Sequence, residues 1–407
     1  MSNRRSFIKG LSVTFAGLPL SSQLTRLQST DWSNWSYIST LYPQDTAGRL
    51  NFNCGSAGVQ PTVVLESMGA HQRALSAFAP YEIYEQHKDT IDKSKLRLAE
   101  LINVNKEQVA LVRNTTAAIN DVLYGIQWRD GDEVVISTSD YPSVWNTLKT
   151  LQQRYGIGIN TVRLDLNQDS EQAIVNGYRT KISNKTRLII ATHVTHREGQ
   201  LMPVALISAL GKGLGIDVLI DGAHAVGHIK VDVQQIGCQY YATSLHKWLS
   251  APLGCGLLYV QKDKIASLYP PTSYAASQQE LMDKFTWIGT FAFEKWMTLD
   301  TVLDFQDSIG LENKSTRLRA MSTRFREGLA GIPGLIIAGN QKDYGGITAF
   351  RVEGINNSKL RNQLMEDYGF HVKKVGIQKV LYNRASFNLH LTDSQVDDLI
   401  AAISDRV

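Results

Sequence analysis

Short apolar, β-branched runs alternate along this chain with longer stretches whose apolar residues recur at helical spacing. The runs are Val109–Val112, Glu133–Ser137, 187–192, 217–220 and Gly256–Val260. Each is apolar nearly throughout rather than at every second place, which is the pattern of strands covered on both faces. Helices between such strands predict an α/β fold, with a mostly parallel sheet sandwiched between helical layers. A composition shift near Pro270-Pro271 and a helix-like stretch over 293–326 mark a crossover to a smaller C-terminal α+β domain, with strands expected at 346–352 and 384–389. The expected division is 1–28 as signal or arm, 29–290 as the large domain with a Ser-, Trp- and Tyr-rich arm over 31–50, and 291–407 as the small domain.

Composition narrows this picture. The 407 residues are 43% apolar and 20% charged, enough for two domains on a shared core and too apolar for disorder. Forty-two Lys and Arg against 38 Asp and Glu give +4 with no basic run, so no nucleic-acid partner is expected. Cys54, Cys238 and Cys255 form neither a C-x-x-C nor a zinc spacing. Cys238, which precedes an aromatic strand segment, and Cys255 read as small buried residues.

At the N-terminus, Asn3-Arg4-Arg5-Ser6-Phe7-Ile8-Lys9 resembles a twin-arginine export signal, followed by an apolar stretch over 11–20. That stretch is too short to span a bilayer, so no stable membrane span is expected. Export to the periplasm is one reading; an ordinary basic N-terminus on a cytoplasmic protein is the other.

The chemistry concentrates where the apolar runs end. Asp221 closes the run over 217–220 and continues as Asp221-Gly222-Ala223-His224. Lys247 follows twenty-six residues later in Ser244-Leu245-His246-Lys247-Trp248. A lysine amine can form a Schiff base with pyridoxal phosphate, and an aspartate against the pyridine nitrogen keeps that ring protonated and able to accept electrons. Carboxyl ends of strands are where open α/β sheets bind ligands. The pairing therefore reads as a pyridoxal phosphate site. Asn114-Thr115-Thr116 opens a helix after Val109–Val112, and free amides with hydroxyls at a helix N-terminus suit either a phosphate or a simple cap. His193 and His196 stand at i and i+3 in a non-helical segment with no completing ligand, so no metal is expected.

In order and content these segments resemble fold type I pyridoxal phosphate enzymes of the class V aminotransferase group, from about Leu50 to the C-terminus. The nearest likeness is to the isopenicillin N epimerase-like branch, through Asn53-Cys54-Gly55-Ser56-Ala57-Gly58 and Asp221-Gly222-Ala223-His224-Ala225. Cys54 departs from that branch's usual His. The resemblance implies a fold type I transferase with a seven-stranded large domain, and a catalytic set of Lys247, Asp221 and His224. It implies that Thr115, Thr116, Ser244 and His246 surround the cofactor phosphate and that Tyr141 stacks on the pyridine. Gly289 and Thr290, in Trp287-Ile288-Gly289-Thr290, would reach the partner's phosphate in a homodimer with shared sites. Arg384, His196 and Cys54 would meet an amino-acid substrate, Arg384 through its carboxylate. The implied activity is chemistry at the amino acid's α-carbon, epimerase-like or aminotransferase-like. Cysteine desulfurases instead carry a nucleophilic Cys shortly before the Arg384 position, and 371–383 contains none. A C–S lyase that needs no protein thiol stays open, and so does a catalytically silent binding protein on the same fold.

Overall fold

In the computed structural model, which describes residues 34–407, the apolar runs form one seven-stranded sheet. The twin-arginine-like segment at 3–9 lies outside the described residues. After a two-residue strand β1 (Leu50–Asn51), the chain lays down β2 (Val109–Val112), β3 (Glu133–Ser137), β4 (Gly158–Val162), β5 (Thr186–Thr192), β6 (Asp217–Asp221), β7 (Tyr240–Ser244) and β8 (Gly256–Val260). The order is β2-β8-β7-β6-β5-β3-β4, and only β8 runs against its neighbours.

The near-continuous apolar runs have a simple cause. Along each strand alternate residues enter opposite cores: Val135, Ile189, Val218 and Ile220 pack on one face, and Val134, Ile136, Leu188, Ile190 and Leu219 on the other. With helices over both faces, neither set can be polar. Strand β4 is the exception, half-buried at the sheet edge, and its mixed composition hid it from the hydrophobic pattern.

The C-terminal part holds β9 (Leu335–Ile337), β10 (Ile347–Val352), β11 (Phe370–His371), β12 (Lys373–Ile377) and β13 (Val380–Ser386). Four of these make an antiparallel sheet, β12-β13-β10-β9. The helices Leu311–Leu329 and Asp393–Ser404 pack together over a core that includes Phe325, Phe350 and Phe387. Strand β13 begins before the expected 384, because its first residues project exposed Val380 and Leu381 from a hairpin.

Two stretches pack across the expected 290/291 line. The helix-like run over 293–326 is three helices, Glu294–Met297, Leu299–Ile309 and Leu311–Leu329, broken at Gly310, whose φ of 78° lies in the left-handed region. Val302, Leu303, Phe305 and Leu318 join the large core, and Met321 and Phe325 the small one, so the packing changes sides within the helix Leu311–Leu329. In the other direction β1 pairs in parallel with β11, and Asn53 bridges to Ser386, tying the start of the chain to the small sheet. The arm itself is anchored: it forms a helix, Trp35–Thr40, and buries Ile38 and Tyr42 in the large core. No described helix is long and apolar enough to cross a membrane.

Candidate functional site

Strands β5, β6 and β7 end side by side, so the segments that follow them converge on a cavity of about 190 Å³. Lys247 lines it, with Nζ 3.2 Å from His224 Nε2 and 5.9 Å from the centre of the Tyr141 ring. The backbone carrying Lys247 is clamped from two sides. The Gly58 N–H donates to His246 O at 2.9 Å, and a Cβ on Gly58 would fall 2.0 Å from Lys247 O, so no other residue fits that close approach. From the opposite side buried Lys314 donates to Trp248 O and Gln306 donates to Leu249 O.

Hydrogen bonding fixes the protonation of His224. The indole N–H of Trp248 can only donate, and it points at His224 Nδ1 over 3.2 Å. Burial, then the nearby Lys247 and Arg384 charges, hold the His224 pKa well below the usual range, so the ring is neutral and its single proton sits on Nε2. Nε2–H can then donate to Lys247 Nζ once that amine has lost its proton. Burial lowers the Lys247 pKa to about 8, with Asp221 opposing the shift and Arg384 and Lys373 adding to it, in keeping with an amine readily freed of its proton. Replacing the indole donor is therefore expected to release the tautomer. In Trp248→Phe, selective 15N NMR of His224 should show protonated Nδ1, and turnover should fall about tenfold, as expected for a lost buried hydrogen bond of roughly 1–2 kcal/mol.

The cavity suits pyridoxal phosphate along its length. At one end Asn114 caps the helix Thr115–Gly125, accepting from Ala117 N at 2.9 Å. There Thr115 Oγ1 meets Ser244 Oγ at 2.7 Å and Thr116 Oγ1 meets Ser143 Oγ at 3.3 Å, giving hydroxyls and a helix dipole fit for a phosphate. His246 lines the same cavity with Nδ1 3.3 Å from Cys255 O. Asp221 lines the same cavity, buried, with one oxygen accepting from Ala223 N at 2.9 Å and no cation paired to it among the described residues. Burial pushes its carboxyl pKa up, and a protonated pyridine nitrogen is the partner that would offset this.

Arg384 rises from the central β13 of the small sheet and is 1% exposed. Its Nη1 donates to His196 O at 2.5 Å, and its Nη2 donates to Asn53 Oδ1 at 2.6 Å and Ser56 Oγ at 3.3 Å, while Nε has no partner. No carboxylate pairs with it among the described residues. A buried guanidinium without a counter-ion is costly unless an anion arrives. The His196 ring lines the cavity and stands edge-on to Tyr141 at 5.0 Å.

Not every expected residue is here. Cys54 is fully buried and stands apart from the cavity, its Sγ 3.4 Å from Asn51 O and beside His390. Residues 54–56 form a turn, closed by Ser56 N–H donating to Asn53 O at 2.9 Å, that brings Asn53, Gly55 and Ser56 against Arg384, while the Cys54 side chain packs against Asn51 and His390. Gly289, with φ of 84°, and exposed Thr290 lie outside the cavity of their own chain.

The family model for class V aminotransferases matches residues 49–399. This chain belongs to the class V aminotransferase family. Among curated relatives it is similar to isopenicillin N epimerase of Streptomyces clavuligerus, 26% identical over 87% of this chain and 94% of that one. It is also similar to a cysteine desulfurase of Cronobacter sakazakii, 28% identical over 84% and 90%. Among solved structures, a lysine-to-alanine mutant of C-DES with glycine covalently linked to its PLP cofactor superposes with a TM-score of 0.79 at 25% identity, covering 88% of this chain and 97% of that chain. The class V chain is thus a pyridoxal phosphate-dependent enzyme of fold type I.

Four polar residues of this class V site escaped the reading of motifs: Asn53, Ser56, Lys373 and Trp248. Lys373 lies opposite Arg384 in the β12–β13 register and donates to Ser56 Oγ at 3.2 Å. Asn53 and Ser56 sit within the quoted N-terminal motif and Trp248 adjoins Lys247, so their nearness was legible; Lys373 had no local signal.

Proposed function

We propose that this class V enzyme moves the α-proton of an amino acid whose carboxylate rests on Arg384, in the manner of an epimerase or aminotransferase. The observation that carries the reading is Arg384 itself, a buried cation with a free Nε and no carboxylate partner, whose planar fork matches a carboxylate. Bound pyridoxal phosphate supplies the electron sink for the pair left at Cα. Lys247 Nζ, 3.2 Å from His224, accepts the proton at Cα and returns it, and its lowered pKa makes the neutral amine far more abundant near neutral pH than in an ordinary lysine. Asp221 would hold a proton on the pyridine nitrogen of the bound cofactor. Tyr141, together with His196, walls off one side from water.

The thiols bear on the branch. Burial pushes the Cys54 and Cys238 thiols up to about 12 and raises Cys255 as well, so none supplies a thiolate near neutral pH. The hairpin before Arg384 carries no cysteine. This argues against sulfur transfer through a protein persulfide and leaves thiol-independent C–S cleavage as the alternative, which the likeness to desulfurases supports. Exposed Thr290, placed outside its own cavity, supports a homodimer in which it serves the partner's phosphate. Export rests on residues 3–9 alone.

The test is to incubate the holoenzyme with an amino-acid panel in D2O. Deuterium should enter at Cα; an inverted product identifies epimerisation, a 2-oxo acid transamination, and sulfide with pyruvate C–S cleavage. Absence of exchange on every amino acid would overturn the reading. Arg384→Lys should raise KM about tenfold and lower kcat together for amino acids, since a point charge replaces a fork, while amines lacking a carboxylate change little.

A further inference from the structure

A second cleft, of about 470 Å³, opens beside the catalytic cavity between the large sheet and the tip of the β12–β13 hairpin. The two are lined by neighbouring residues of the same segments. From the turn after β3, Thr138 faces the cleft and Tyr141 the catalytic cavity; from the segment after β5, His196 faces the cavity and Arg197 and Glu198 the cleft. Arg197 Nη1 donates to Thr138 O at 3.0 Å and joins the walls together. Three cations line the cleft, Arg163, Arg197 and Lys379, and none is paired with a carboxylate among the described residues. The floor is apolar, with Leu164 and Ile377.

Two further features point to a ligand. Glu198, 5% exposed, has Oε2 without any hydrogen-bond partner. Burial raises its pKa, with the Thr195 hydroxyl and the Arg197 charge opposing the shift. Gln378 and Lys379 both adopt left-handed backbone, φ 47° and 68°, in a two-residue turn that Asn-Gly would take without strain. That turn holds Lys379 at the cleft, and Gln378 Nε2 reaches Leu164 O at 3.5 Å.

We propose that this cleft reads a carboxylate at the far end of the substrate side chain, so that the enzyme prefers amino acids carrying a distal acid. The α-carboxylate then lies on Arg384, the carbon chain crosses past Tyr141 and His196, and the distal carboxylate meets Arg163, Arg197 and Lys379. The assignment rests on the reading that the chain works at the α-carbon of an amino acid, and deepens it. Because the cations are partly exposed, each contributes modestly and their effect is screened by salt.

The experiment is Cα deuterium exchange by the holoenzyme on dicarboxylic amino acids from aspartate to 2-aminopimelate, each beside its ω-amide and its unbranched alkyl counterpart. At least one acid should show kcat/KM for exchange about tenfold above its ω-amide, with the ratio shrinking as ionic strength rises. Arg163→Gln and Lys379→Gln, both at exposed positions where folding is not at stake, should each cut that ratio about fivefold, and Arg163→Lys should preserve it. Equal rates for acids and amides, or a preference that both Gln variants leave intact, would sink the cleft assignment while exchange on neutral amino acids upheld the α-carbon reading. No exchange on any member would bring down both.

Discussion

Lys247→Ala is expected to abolish turnover, below about one part in a thousand of the parent rate, because it removes the group that meets the cofactor and moves the proton. The cavity walls do not depend on it: Thr115, Ser244 and Asp221 stay in place, so the variant should still bind pyridoxal phosphate without covalent attachment. Borohydride reduction of the parent holoenzyme and peptide mapping should find the label on Lys247; a label on another lysine would refute the assignment. The lowered pKa adds a dependence on pH. The Lys247 amine loses its proton near pH 8 rather than near 10.5, so covalent loading of the apoprotein should accelerate as pH rises toward 8 and level off above it. A rise continuing to pH 10 would mean that the amine is not desolvated.

Asp221→Asn is expected to cost roughly 3–4 kcal/mol of transition-state stabilisation, or about a hundred- to a thousandfold in kcat, since an amide cannot hold a proton on the pyridine nitrogen. Cofactor affinity should fall far less, because the phosphate end is built from other elements. The substitution keeps the volume, and Ala223 N–H can still donate to the amide oxygen, so folding is not at stake. Near-normal turnover in the Asn variant, measured at saturating cofactor, would remove Asp221 from the mechanism.

Much of the fold was legible because its signals are local. The runs Glu133–Ser137 and Gly256–Val260 are strands with those very bounds, since a strand covered on both faces must be apolar along its length. Strands β4, β9 and β12 were not, because they are short or half-buried and their residue types answer to one covered face or to none. Of the site, Asp221, Lys247 and the Asn114-Thr115-Thr116 cap could be placed from the sequence, because each lies directly after an apolar run.

By itself the sequence determined the succession of strands and helices and the position of reactive residues at strand ends, because periodicity and turn chemistry act over a few neighbouring residues. Only the tertiary structure decided which of those residues meet. Arg384 reaches Asn53 across 331 residues of chain, β1 pairs with β11, and the Trp248 indole selects the proton on His224. Burial then sets the charges, lowering Lys247 to about 8 and leaving Arg384 without a counter-ion. These outcomes depend on desolvation and on contacts between distant segments, and neither leaves a mark on any short stretch of sequence.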